Sequence, residues 1–190
     1  KALPVAEKYL PDLAKAERDL MLTRITRGKE ILTSSCGRLF DAVGAMLGIC
    51  PINHYEGQAA IELEAYATKK AGIYSYNIDY EEDRWIMNPL PMWPELLADL
   101  EREIPAGEIA YKFHLTMVEM FTDILQKVRE ESGLNRVVLS GGVFHNQILL
   151  VELLHSLQAA EFEVYHHQQL PPGDGGLSLG QAIIASEVIS

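Results

Sequence analysis

Basic side chains run out well before this chain does: from Val137 to Ser190 there is no lysine and no arginine. Over the full sequence 16 Lys and Arg stand against 27 Asp and Glu, a formal net charge of −11 with an isoelectric point near 4.9. A surface of that sign repels a phosphate backbone, which argues against nucleic acid as a partner. No Walker-type lysine lies near the glycine-rich C-terminal part, so a phosphate bound there has to be neutralised by backbone amides and a divalent cation. Long apolar runs are missing too. The longest, such as Ile148 to Leu154, is interrupted by Glu152 and falls well short of the ~20 residues of a membrane-spanning helix, so no membrane segment is expected. Cysteine is scarce, and Cys36 and Cys50 form no Cys-x-x-Cys pattern, which argues against a cysteine zinc site and fits a reducing cytoplasm. The opening Lys-Ala-Leu-Pro-Val-Ala-Glu-Lys has no signal-peptide core and no Met; it reads as a processed or excised start, and the chain as a fragment of a longer one.

What is present suffices for one sizeable core. At 190 residues, 48% hydrophobic and mean hydropathy +0.00, the sequence reads as a single domain over 1–190. Its organising stretch is Val137-Val-Leu-Ser-Gly-Gly-Val-Phe-His-Asn146. Val137 to Ser140 reads as a short buried strand, Gly141 and Gly142 as a tight turn, and Val143 to Ala159 as an amphipathic helix. Glycines at such a joint let a ligand approach backbone N–H groups at the positive end of a helix dipole, although strand-Gly-Gly-helix joints also occur where nothing binds. A second joint follows. Phe162 to Tyr165 reads as a strand, Pro171-Pro172-Gly173-Asp174-Gly175-Gly176 as a loop, and Leu177 to Glu187 as the final helix. In an α/β sheet the two glycine loops fall at one edge and face one site. Asp174 is either a helix N-cap or a metal carboxylate. His166 and His167 are adjacent, so on an extended chain they point opposite ways and cannot share a metal.

The earlier part reads as follows. A proline-punctuated lead-in, Leu3 to Leu13, precedes a helix over Leu13 to Arg27 that Gly28 ends. Thr33, Ser34 and Ser35 are N-cap residues for a helix whose buried stripe is Leu39, Val43, Met46 and Leu47. Within it Asp41 is either a solvated carboxylate or an acceptor for a ligand hydroxyl, and Cys36 a packed thiol in preference to an activated one. Glu56 to Ala67 forms a second helix opened by Gly57. Gly72 to Asp79 reads as a strand with Trp85 to Ile86 as its partner, then come helices over Pro94 to Arg102 and Gly107 to Glu131. On the latter, Ile109, Phe113, Met117, Met120, Phe121, Ile124 and Val128 share one side, and His114, like His155, is a packing residue and not a ligand.

Four blocks carry a resemblance: Thr33 to Val43 (Thr-Ser-Ser-Cys-Gly-Arg-Leu-Phe-Asp-Ala-Val), Tyr55 to Ala60 (Tyr-Glu-Gly-Gln-Ala-Ala), Leu139 to Asn146 (Leu-Ser-Gly-Gly-Val-Phe-His-Asn), and Gly173-Asp174-Gly175-Gly176 through Leu179-Gly180-Gln181-Ala182. In this order they resemble the C-terminal region of the HypF family, the carbamoyltransferases of [NiFe]-hydrogenase maturation. The resemblance implies an α/β fold, one lobe of an actin-like ATPase (ribonuclease H-like) domain shared with the enzymes that transfer threonylcarbamoyl to tRNA. It implies a nucleotide ligand, ATP or carbamoyl adenylate, a divalent metal such as magnesium or iron, and transfer of carbamoyl to the C-terminal cysteine of a HypE-like partner protein. Motif by motif, Asp41 corresponds to the residue that holds the ribose; Gly57, Gly141, Gly142 and Asn146 correspond to nucleotide-binding positions, and Asp174 to the metal aspartate.

The departures are equally specific. The family's His-x-x-x-His metal motif upstream of the Thr-Ser-Ser block has no counterpart, since the first histidine is His54. The upstream acylphosphatase-like, zinc-finger and adenylate-forming parts are absent. Cys36 replaces a methionine-like residue, and His145-Asn146-Gln147 replaces Gln-Asn-Arg, removing a cation from the rim. Two other readings stand beside the transferase: a sugar- or acetate-kinase-like phosphotransferase, which shares the glycine-loop architecture, and a non-catalytic lobe that docks a partner. An isolated lobe also exposes the apolar face that meets its other half, so homodimerisation or aggregation is expected.

Overall fold

The computed structural model describes residues 14–28 and 33–189; the lead-in Leu3 to Leu13 and the pair Ile31 and Leu32 lie outside the described residues. The chain divides into two compact units, Lys1–Tyr66 and Ala67–Ser190. No helix among the described residues is long and apolar enough to cross a membrane.

In the first unit, α1 (Lys15–Thr26) starts where Glu17 Oε2 accepts from Ala14 N–H at 3.1 Å and ends near Gly28 at φ +59°. Helix α2 (Cys36–Met46) packs on α3 (Gln58–Tyr66). The inward face of α2 is turned from the expected stripe: Phe40, Val43 and Gly44 are buried, whereas Leu39, Met46 and Leu47 are half-buried. Gly44 sets this face. A Cβ there would stand 3.2 Å from Ala59 Cβ, so two small residues bring the helices close and the large side chains flank them. The expected hydroxyl cap is also displaced. Ser35 holds the N-cap position without a side-chain bond, while Thr33 Oγ1 accepts from Ser35 N–H at 3.1 Å.

The second unit is mixed α/β. Strands β1 (Asn77–Glu81) and β2 (Arg84–Asn88) form an antiparallel hairpin, Asn77 opposite Asn88, closed by Glu82 and Asp83 at φ +49° and +60°. Such a left-handed pair matches the strand twist. The first strand starts later than expected because Tyr74 and Ser75 give their N–H groups to side chains in place of a ladder. Tyr74 N–H donates to Thr116 Oγ1 at 2.9 Å and Ser75 N–H to Glu95 Oε2 at 3.2 Å. Helix α4 (Met92–Glu101) leads to α5 (Ala106–Ser132), which ends at Gly133 at φ +70°. Of the side expected for α5, Ile109, Phe113, Met117 and Met120 are buried, whereas Val128 is exposed. Strand β3 (Arg136–Leu139), α6 (Gln147–Ala159) and β4 (Glu163–His166) make a parallel β-α-β unit, Arg136 opposite Glu163. Leu149, Leu153 and Leu157, spaced by four, are fully buried on the face of α6 that meets α5. The last helix, α7 (Leu177–Ile189), exposes Leu177, Leu179, Ile183, Ile184 and Val188.

Candidate functional site

In a parallel pair both strands deliver their C-terminal ends to one edge, and there the two glycine joints meet. Gly141 N–H donates to Pro172 O at 2.8 Å, and a Cβ on Gly173 would lie 3.3 Å from both Gly142 Cα and His145 Nε2. Side-chain-free backbone is what permits that approach. Gly141 sits at φ +117°, ψ 157°, a conformation reserved for glycine. Beyond it the chain departs from the expected helix. Gly142–His145 is a single 3-10 turn, and α6 starts only at Gln147. Asn146 is the reason. Its Oδ1 accepts from Leu149 N–H at 2.9 Å, so it caps the helix, and the preceding residues must form a separate turn. Gly141 N–H is already engaged, which leaves the N–H groups that open the turn, those of Gly142 and Val143, as the donors without an intrahelical acceptor.

Beside the turn lies a pocket of about 100 Å³ lined by Leu139, Phe144, His145, Gln147, Leu150, His166, His167 and Pro172. Ligand pockets span about 300–1,000 Å³, so this one fits a phosphate- or carbamoyl-sized group and not a whole nucleotide. Histidine is the only potentially cationic side chain between Val137 and Ser190, and three imidazoles gather here. The adjacent pair His166 and His167 reaches one pocket because β4 ends at His166 and the chain bends after it. His167 Nε2 and Ser140 Oγ are 2.9 Å apart. A larger cavity of about 530 Å³ is lined by Tyr76, Asp79, Asp123, Lys127 and Glu130 among others; three carboxylates against one ammonium make it unfavourable for phosphate.

Asp174 is exposed as the first residue of the second 3-10 turn, Asp174–Gly176, whose N-cap is Gly173 and not the aspartate. Among the described residues no group of three or more His, Cys, Asp or Glu is placed to hold a metal ion. Asp174 thus belongs to no such group among the described residues.

Asp41 and Gly57 belong to the first unit, the other four candidates to the second. Asp41 is half-buried, with Oδ2 2.8 Å from Arg38 Nη1 and Oδ1 accepting from Asn53 Nδ2 at 3.0 Å. Asn53 Oδ1 in turn accepts from Ala59 N–H at 3.1 Å, so this one amide ties the carboxylate to the first turn of α3, just after Gly57 at φ +76°. Cys36 is half-buried, and burial pushes its thiol up to about 11, which keeps it protonated at neutral pH. Asn53, Ser140 and the three histidines were not singled out from the sequence as site residues. The histidines carried one signal, that with His155 they are the only side chains able to carry positive charge between Val137 and Ser190; Asn53 carried none.

The description "Carbamoyltransferase, Kae1-like Domain, second subdomain" matches residues 2–181. The Carbamoyltransferase HypF of Rhodobacter capsulatus is 35% identical over 184 residues, covering 96% of this chain and 23% of that protein. The Probable carbamoyltransferase HypF of Methanocaldococcus jannaschii is 30% identical over 171 residues, 88% of this chain and 22% of that protein. A full-length HypF crystal structure in a phosphate- and nucleotide-bound form superposes with a TM-score of 0.87 at 36% identity, over 99% of this chain and 25% of that one. The chain thus spans about a quarter of the length of these relatives. With motifs, fold and relatives in agreement, the chain belongs to the HypF carbamoyltransferase family, as the second subdomain of its Kae1-like domain.

Proposed function

We propose that this chain is the nucleotide-holding, C-terminal lobe of an actin-like (ribonuclease H-like) carbamoyltransferase domain in hydrogenase maturation, acting in the cytoplasm. The observation that carries the reading is the similarity along 99% of the chain to a nucleotide-bound HypF, joined to two glycine loops in contact at one strand edge. In it, the N–H groups of Gly142 and Val143 receive the phosphate of ATP or carbamoyl adenylate, Gly141 supplies the backbone shape, and Asn146 fixes the turn. Asp41 and Gly57, in the first unit, are candidates for binding a ribose. The histidine pocket takes the small end of the ligand. A magnesium or iron ion would be held by Asp174, with water and the ligand's phosphate oxygens completing its coordination.

The chemistry is acyl transfer. The cysteine thiolate of a HypE-like acceptor attacks the carbamoyl carbon, and a carbon–sulfur bond forms. The carbon–oxygen bond to the adenylate phosphate breaks, and AMP leaves with that electron pair. Fixed amide donors stabilise the charge that grows on the leaving phosphate, and one such donor contributes on the order of 3 kcal/mol to the barrier. No nucleophile is needed from this chain, in keeping with the protonated Cys36. The exposed apolar side chains of α7 favour a docking role alongside, towards the remainder of the protein or, in the isolated chain, a second copy.

Calorimetric titration of ATP with Mg²⁺ into this chain tests the nucleotide reading. Asp41→Ala and Gly142→Ala should each weaken binding by about tenfold. Binding unchanged in both would place the nucleotide elsewhere.

A further inference from the structure

Asn146 is held from outside its own loop. Its side chain is 5% exposed, with Oδ1 on Leu149 N–H at 2.9 Å and Nδ2 2.8 Å from His114 Nε2. His114 projects from α5 at 0% exposure, and its Nδ1 lies 2.7 Å from Ala110 O. A carbonyl only accepts, so Nδ1 carries the proton; in the neutral ring Nε2 is then a bare acceptor, and Asn146 Nδ2 donates to it. Only one amide orientation fits. Reversed, Asn146 would set two donors against each other at Leu149 and an oxygen against a lone pair at His114. The Ala110–His114–Asn146–Leu149 relay thus fixes both the histidine tautomer and the asparagine rotamer, over 32 residues of sequence separation between its central pair.

The turn hangs on that rotamer. Asn146 N–H donates to Val143 O at 3.1 Å, and Phe144 N–H to Gly141 O at 3.1 Å. Asn146, at φ −70° and ψ 111°, is the joint between turn and helix. With it held, the N–H groups of Gly142 and Val143 have a fixed outlook.

We propose that His114 is the positioning residue of the glycine turn, holding Asn146 so that the Gly142 and Val143 amides are set to receive an anionic ligand group. The ligand half of this statement rests on the nucleotide reading above; the hold on the turn does not. A histidine that merely fills core volume would act differently. Phenylalanine has nearly its shape, and such a replacement would leave the turn as it was.

Amide hydrogen exchange on the ligand-free chain, followed by NMR, decides between these. The panel is wild type, His114→Phe, His114→Gln, Asn146→Ala and the His114→Phe/Asn146→Ala double variant, with Met120 and Leu153 amides as the reference for global stability. His114→Phe should speed exchange at Phe144, Asn146 and Leu149 by about tenfold relative to that reference. His114→Gln, whose side-chain carbonyl can accept from Asn146, should recover most of the protection. The double variant should exchange no faster than Asn146→Ala alone, because His114 acts through Asn146. Turn amides unchanged in His114→Phe, or effects that multiply in the double variant, would overturn the proposal. ATP titration of the same panel reads the ligand half: affinity should fall about tenfold in His114→Phe and recover in His114→Gln. If wild type binds no ATP, the ligand half falls, while the exchange data still decide the hold on the turn.

Discussion

Gly141 and Gly142 stand side by side, yet the structure assigns them different jobs, and alanine at each position separates the two. Gly141 is at φ +117°, ψ 157°, where a Cβ is strained by about 1–3 kcal/mol. Against this, alanine stiffens the unfolded chain, a gain of about 0.4–1 kcal/mol. The central net loss for Gly141→Ala is about 1.3 kcal/mol, and in a chain of this size each kcal/mol lowers Tm by about 2–4 °C. Tm should therefore drop by about 3–5 °C. Gly142 opens the 3-10 turn, and a Cβ built on it meets nothing within 4 Å, so Gly142→Ala should change stability by less than about 0.5 kcal/mol. On the nucleotide reading proposed above, its Cβ should instead hinder the ligand. Thermal unfolding by circular dichroism, with urea titration as a check, measures the first effect; ATP titration measures the second. Gly141→Ala melting at or above wild type would refute the backbone argument. Gly142→Ala as damaging to stability as Gly141→Ala would refute the claim of open space.

Acid should act through His114. Burial pushes this imidazole down to about 4 from its ordinary 6.5, so the unfolded chain takes up its proton at a higher pH than the folded one. The contribution is intact above pH 6.5, falls as pH drops from 6.5 towards about 4, and levels below, for a total of about 3 kcal/mol. Urea midpoints measured across that window should fall less steeply in His114→Gln than in wild type; equal slopes would show that His114 is not the group responsible. Arg129 donates to Ala160 O at 2.8 Å and to Asn135 Oδ1 at 3.1 Å, and lies 4.0 Å over the Phe162 ring. Arg129→Ala should cost about 2 kcal/mol, read as a lower urea midpoint, and Arg129→Lys should recover only part of it because an ammonium cannot make both bonds and the stack together.

Much of the secondary structure was legible because local chemistry fixes it. The amphipathic run that becomes α6, Gly28 after α1, and Trp85 to Ile86 as the partner of the preceding strand all speak through near neighbours in sequence. Misreadings arose where a distant group intervened. Residues 72–76 look like a strand, but Thr116 and Glu95 take the N–H groups of Tyr74 and Ser75. The buried face of α2 was misjudged by about one position because Ala59, on another helix, faces Gly44. Helix α6 begins later than its apolar pattern suggests because Asn146 is anchored by His114.

By itself the sequence determined the glycine joints, the want of basic residues after Val137, and the order of motifs that marks the family. These depend on which residues are present and on backbone preferences that a few neighbours settle. Only the tertiary structure decided that His145, His166 and His167 share a pocket, that Asp174 is the first residue of a 3-10 turn and not its cap, and that a histidine from α5 holds the asparagine of the turn. The first and last of those are contacts between elements, and a hydrogen bond spanning 32 residues leaves no periodicity in the chain for a sequence to show.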